Sequence, residues 1–258
     1  MANNLSKTQI DKLGDRVRKG DITEADLRLL DEYRRSFSDA YEFVIEEIRS
    51  RLELEPTGRP AKSTSSIREK LLRESIRLSQ VQDIAGCRQV VQSVAAQESA
   101  LESLRSLFTN LTVVDRRRRP SHGYRAVHLI VKHSGKLVEI QLRTTLQHMW
   151  AEFSEKLSDV FDPAIKYGGG DAATAQLLLD LSALLARAEK EETALMSMEQ
   201  QVSELLSRGT RSEVRRKKLI DVEREIRELK KEQIQISEDA LAMLHTLIDS
   251  LPKKKRRT

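Results

Sequence analysis

Between Cys87 and Leu142 the spacing of apolar residues switches from a helical to a strand period, and that switch limits the folds open to this chain. Cys87–Val94, Leu111–Arg116, Arg125–His133 and Lys136–Leu142 are rich in valine and isoleucine and of strand length. Ser134-Gly135 predicts a tight hairpin between the last two. Residues 95–108 read as a helix, and Leu146, Met149, Trp150, Phe153 and Leu157 form the apolar stripe of another. Strands interleaved with helices predict an α/β (α+β) core whose mixed sheet has four or five strands.

The flanks keep a helical period. Residues 4–50 read as helical, with Ser6 and Thr23 as N-caps and Leu27, Leu30, Tyr33, Phe37, Tyr41, Val44 and Ile48 at three- and four-residue spacing. Pro56, Gly58 and Pro60 open a loop, after which Ser65 or Ser66 is expected to cap a short basic helix running through Leu78. Gly168-Gly169-Gly170 marks a boundary. Beyond it the chain reads as helical to Ser250, broken near Arg208-Gly-Thr-Arg211. Leu181, Leu184, Ala188, Leu195, Met198, Val202 and Leu205 occupy heptad a and d positions in the first arm. Leu219, Val222, Ile226, Leu229, Ile236 and Met243 do so in the second. An antiparallel helical hairpin follows, packed on itself or on a second copy of the chain. The expected domains are a helical segment 1–54, a core 55–170, the hairpin 171–250 and a basic tail 251–258.

Charged residues make up 33% of the 258 positions and aromatics only 4%, which suits long exposed helices around a modest core. The net charge of +5 favours polyanionic partners such as nucleotides or RNA. The basic residues face no continuous apolar stripe and no 18-residue apolar run exists, so a membrane partner is not expected. A single cysteine, Cys87, precludes an internal disulfide and fits a reducing cytoplasm, where it is expected as a small buried side chain.

Asp83 and Glu139 each stand in or beside an expected strand amid apolar neighbours. Mg²⁺ bound with a nucleotide takes one or two carboxylates and completes its shell with phosphate and water, so these two acids are the candidate metal ligands. The plainer reading pairs them with Arg88 or Arg143. Lys62, Lys70 and Arg73 form a basic cluster able to hold a triphosphate, unless they are only a solvated helix face. Tyr124 follows a Gly turn, from which its ring can stack on a base; otherwise it is a strand-edge core residue. Arg116, Arg117, Arg118 and Arg119 suit the phosphates of a large polyanion. His148 and Glu152 share a helical face but have no third ligand in sequence view, and are expected at a pocket rim rather than on zinc.

Lys62-Ser-Thr-Ser-Ser-Ile-Arg-Glu-Lys70, Asp83-Ile-Ala-Gly-Cys-Arg88, Gly123-Tyr-Arg-Ala-Val-His128 and Glu139-Ile-Gln-Leu-Arg-Thr144 together resemble the synthetase domain of the RelA/SpoT family, over roughly residues 55–170. Members of that family move pyrophosphate from ATP onto a ribose 3′-hydroxyl. The resemblance implies catalytic and metal-binding roles for Glu139 and Asp83, with Glu139 drawing the proton from the 3′-hydroxyl and Mg²⁺ as cofactor. It implies ATP binding by Arg59, Lys62, Ser66, Lys70, Arg73 and Arg88, although Arg59 stands one residue too far upstream for the family's pattern. Tyr124, His128, Gln141 and Arg143 match its acceptor positions.

The family holds two chemistries. One branch makes (p)ppGpp from GDP or GTP; a toxin branch modifies the 3′-terminal adenosine of tRNA and stops translation. Trp150-Ala-Glu-Phe-Ser-Glu-Lys and Ile165-Lys-Tyr-Gly-Gly look more like the toxin branch, and the arginine run and basic tail suit tRNA. The expectation is therefore tRNA as acceptor, with an antitoxin as a possible partner, ahead of GDP or GTP. With about 55 residues ahead of the core, no hydrolase domain is expected upstream. A catalytically silent RNA-binding module is the rival class, which the presence of Asp83, Glu139 and Tyr124 disfavours.

Overall fold

The computed structural model describes residues 5–208 and 213–252. Residues 209–211 of the expected break, and the basic tail from residue 253 on, lie outside the described residues. The chain divides into two compact units interleaved along the sequence. One comprises Met1–Gln89, Leu101–Val114 and Val127–Leu142; the other comprises Val90–Ala100, Asp115–Ala126 and Arg143–Thr258.

The first unit begins with helices α1 (Lys7–Lys19), α2 (Glu24–Arg35) and α3 (Ser38–Leu52). Ser6 and Thr23 cap α1 and α2 as expected, each in a reciprocal capping box with Gln9 or Asp26. After β1 (Thr57–Arg59) comes α4 (Thr64–Glu74). Its N-cap is Ser63, not Ser65 or Ser66, and it stops at Glu74 rather than continuing to Leu78. Ser63 has the extended backbone and accepts from the Ser66 N–H, whereas Ser65 and Ser66 are already helical. Leu13 and Val17 of α1, Leu30 and Tyr33 of α2, and Ile67 and Leu71 of α4 are buried together with Leu78 and Ile84. Gly14 lets α1 approach closely: a Cβ there would lie 2.6 Å from Leu78 Cβ.

The remaining elements are β2 (Ala85–Val91), α5 (Val94–Leu107), β3 (Leu111–Asp115), β4 (Val127–His133) and β5 (Lys136–Thr144). Among the described residues the strands form a five-stranded mixed sheet in the order β1-β2-β5-β4-β3. β1 pairs antiparallel with β2, Arg59 opposite Gly86. β4 and β5 form the predicted hairpin around Ser134 and Gly135, both in the left-handed region. Its register sets His128 against Gln141 and Ile130 against Glu139. Val138, Ile140 and Leu142 fill the core, so Glu139 and Gln141 emerge together on the opposite face.

In the second unit, α6 (Thr145–Val160), α7 (Ala172–Ser207) and α8 (Glu213–Ser250) pack together. Trp150, Phe153 and Leu157 of α6 meet Leu178, Leu181 and Leu185 of α7 and Leu244 and Ile248 of α8. The expected heptad seam is largely absent. Leu181, Val202 and Ile226 are buried, but Leu184 is 60% and Ile236 63% exposed, with Met198, Leu205, Leu229 and Met243 also outward. The α6 stripe turns α7 toward Leu178, Leu181 and Leu185, a rotation that the hairpin pattern by itself does not specify. No described helix is long and apolar enough to cross a membrane.

Candidate functional site

Asp83 is buried just ahead of β2, at the centre of a cluster of cations. Lys62 Nζ donates to its Oδ2 at 2.7 Å and Lys70 Nζ to its Oδ1 at 3.0 Å. Arg59 Nη2 stands 3.9 Å from Oδ2 and donates to the Asp83 carbonyl at 3.3 Å. The Lys62 N–H donates to the Ile84 carbonyl, which fixes the loop ahead of α4 beside β2. Burial opposes ionisation of Asp83, yet Lys62 and Lys70 overcome it and hold the carboxyl down at about 2. Burial likewise pulls the Lys62 ammonium below its ordinary value in spite of Asp83. The other expected nucleotide-binding residues are Arg73, Ser66 and Arg88. Arg73 meets Glu74 at 2.8 Å, Ser66 bonds to Ser63, and Arg88 stands opposite Thr57 in the sheet.

The depressed pKa gives a stability prediction. An unfolded aspartate titrates near 3.9, above the folded value of about 2. The stabilisation is therefore complete above about pH 4 and is lost as pH falls from about 4 to about 2. Asp83→Asn is expected to remove on the order of 1–2 kcal/mol of pH-dependent stability in that window. Urea melts of both proteins from pH 7 to about pH 2 check it; parallel curves would show that the lysines do not stabilise the carboxylate.

Glu139 is buried on β5, in the same unit as Asp83. His128 Nδ1 lies 2.8 Å from its Oε1, and Gln141 Nε2 donates to its Oε2 at 2.8 Å. Burial alone would raise its pKa; the bonds from His128 and Gln141 bring it below the usual carboxylate value, against repulsion from Asp83. The two acids thus sense one another while both remain ionised. Lys62 and Lys70 are partners of Asp83, and His128 and Gln141 are partners of Glu139. Among the described residues no three or more His, Cys, Asp or Glu side chains gather as a metal site. Two mutually repelling carboxylates do fit Mg²⁺ when it is held jointly with a polyphosphate.

Gly86 is a site residue that motif reading passed over. A Cβ there would lie 2.6 Å from the Glu139 carbonyl oxygen, so only glycine lets β2 come this close to β5. In the sequence Gly86 stands just ahead of the expected strand Cys87–Val94; the structure starts β2 at Ala85 and so puts this glycine inside it. Cys87 is buried as expected, and burial pushes its thiol up to about 12.

The second unit holds the expected base platform. Ser121 and Tyr124 close a tight turn with φ of 52° at His122 and 86° at Gly123. Arg143 donates to the Tyr124 hydroxyl from Nε at 3.2 Å and Nη2 at 2.9 Å. The arginine run is only partly available to a polyanion. Arg117 is bound to Asp115 at 2.9 Å, Glu98 at 2.6 Å and Gln97 at 3.0 Å, while Arg118 and Arg119 are exposed. His148 and Glu152 lie 3.6 Å apart on α6.

Residues 58–158 match the family described as a region found in RelA / SpoT proteins. A GTP pyrophosphokinase of Bacillus subtilis is 33% identical over 168 residues, covering 59% of this chain and 76% of that protein. An uncharacterized protein of Mycobacterium tuberculosis strain H37Rv is 35% identical over 113 residues. That match covers 42% of this chain but only 41% of the mycobacterial protein's length. The crystal structure of the small alarmone synthetase 1 from Bacillus subtilis is similar at a TM-score of 0.50 and 29% identity, covering 66% of this chain and 99% of that one.

Proposed function

The chain belongs to the RelA/SpoT family, and from that premise we propose that it is an ATP-dependent pyrophosphokinase using GDP or GTP as acceptor. The observation that carries the proposal is the ionised pair Asp83 and Glu139 set beside Lys62, Lys70 and Arg59. The acceptor 3′-oxygen forms a bond to the β-phosphorus of ATP, the bond from that phosphorus to the α-phosphate oxygen breaks, and AMP leaves. Asp83 and Glu139 would hold Mg²⁺, which neutralises phosphate charge when bound. Lys62 and Lys70 can turn from Asp83 to phosphate oxygens, each charge-assisted bond contributing roughly 1.5–3 kcal/mol. Glu139, oriented by His128 and Gln141, accepts the 3′-hydroxyl proton. Tyr124, its hydroxyl anchored by Arg143, receives the acceptor base.

Two findings favour GDP or GTP over the tRNA acceptor expected from the sequence. The Bacillus relatives of high coverage are named GTP pyrophosphokinase and alarmone synthetase. Arg117, central in the run meant for tRNA phosphates, is committed to Asp115 and Glu98. The outward apolar residues Leu184, Met198, Leu229 and Ile236 support a second copy of the chain as partner of α7 and α8. Incubation of the purified chain with γ-labelled ATP and, separately, GDP, GTP or deacylated tRNA tests the proposal. Label in a guanosine 3′-pyrophosphate is expected, and label confined to tRNA would reverse the choice of acceptor.

A further inference from the structure

We propose that Glu189 of α7 is a positioning residue for the acceptor, fixing through Arg125 the turn that presents Tyr124. The proposal rests on the reading of Tyr124 as the acceptor platform, and it assigns the helix beyond the family-matched residues 58–158 a part in that site.

Residues 123–125 are held one after another by α7 and its neighbours. At Gly123 an added Cβ would lie 2.8 Å from Trp150 Cζ2 and 3.2 Å from both the Leu178 carbonyl and Ser182 Cβ. The Trp150 indole N–H donates to the same Leu178 carbonyl at 3.0 Å. Arg125, adjacent to Tyr124, donates to Glu189 Oε2 from Nε at 3.2 Å and from Nη2 at 2.5 Å. Leu178, Ser182 and Glu189 lie on the buried stripe of α7 with Leu181 and Leu185, so one helical face presents all three contacts.

The pair is embedded in a buried polar chain. Gln147 Nε2 donates to the other Glu189 oxygen at 2.7 Å, and Gln97 Nε2 donates to Gln147 Oε1 at 2.8 Å. Arg117 donates to Gln97 Oε1 at 3.0 Å. The chain therefore ties both ends of the 117–125 loop into the interior. Gln97 and Gln147 are fully buried, and Arg125 and Glu189 are each 9% exposed. Desolvating an ion pair is costly, and a well-packed apolar pair of the same volume often stabilises a fold as well. Apolar contact lacks direction, whereas the bonds to Glu189 fix where Arg125 sits and hence where Tyr124 points.

Glu189→Gln in the full chain tests this, by hydrogen exchange without nucleotide and by steady-state kinetics. Exchange of amides 121–127 is expected to accelerate while that of β2 stays unchanged. The acceptor KM should rise roughly 10- to 100-fold, as for a positioned group displaced by about 1 Å, with the ATP KM within about twofold. The double variant Arg125→Met/Glu189→Leu guards against simple misfolding. It is expected to fold and melt cooperatively, at a somewhat lower temperature because the buried Gln147 amide loses its Glu189 acceptor, and still show the raised acceptor KM. Unchanged exchange and acceptor KM in Glu189→Gln, an equal rise in the ATP KM, or a normal acceptor KM in the double variant would each overturn the proposal. If the wild type transfers no pyrophosphate to GDP or GTP, the functional reading falls instead. Exchange at 121–127 then decides the positioning role alone: acceleration retains it and its absence ends it.

Discussion

Glu139→Gln is expected to fold and melt close to the wild type while pyrophosphate transfer falls by about 10²–10⁴. The substitution keeps the volume of a side chain buried on β5 between His128 and Gln141. It removes the charge that would take the proton and contribute to holding Mg²⁺. An amide offers one acceptor where the carboxylate offered two, so the new NH₂ must face either His128 Nδ1 or Gln141. His128 can switch tautomer and accept from it, which limits the stability loss to about 1–2 kcal/mol. Labelled-ATP transfer assays and a thermal melt of both proteins check the two halves. Transfer at near the wild-type rate would remove Glu139 from the chemistry and leave it a structural carboxylate.

The sheet was legible because its strands carry their own period. Lys136–Leu142 and the Ser134-Gly135 turn need only local geometry, and the structure extends that strand by two residues, to Thr144. Thr57–Arg59 escaped notice because a three-residue exposed strand has no alternation to display; its identity comes from pairing with β2. The two long helices of the hairpin were legible too, but the face that α7 buries was not. Leu184 and Ile236 fit a heptad, but which face of α7 is buried depends on Trp150 and Phe153 of α6, more than 20 residues away. The same limit applies to the candidate site. Asp83 and Glu139 stood out as acids amid apolar neighbours. That Lys62 and Lys70 converge on Asp83 from 21 and 13 residues upstream depends on the folded loop ahead of α4. Glu189 was invisible for a related reason: on a charged helix a single glutamate reads as solvated, and only the fold sets it against Arg125.

Tyr124→Ala is expected to raise the acceptor KM about 5- to 150-fold, the equivalent of losing one base stack worth about 1–3 kcal/mol, with the ATP KM nearly unchanged. The ring is at once held by Arg143 at its hydroxyl and carried on a turn closed by Ser121, so its removal takes away contact area without opening the sheet. The effect should appear with GDP and GTP alike, and salt should alter it little, because a nucleotide brings few phosphates to the protein. A tRNA acceptor would behave differently. Its binding would fall by about 0.7–0.9 log units per log unit of salt for each phosphate contact. Replacing Arg116, Arg118 and Arg119 by alanine separates the two cases. Arg117 is kept, since its bonds to Asp115, Glu98 and Gln97 make it part of the fold. The triple variant should transfer to GDP within a few-fold of the wild type, losing only weak, screened interactions of the exposed Arg118 and Arg119 and the half-buried Arg116. A steep salt dependence that the triple variant flattens, with label appearing in tRNA, would return the acceptor to tRNA and make Tyr124 a platform for adenine.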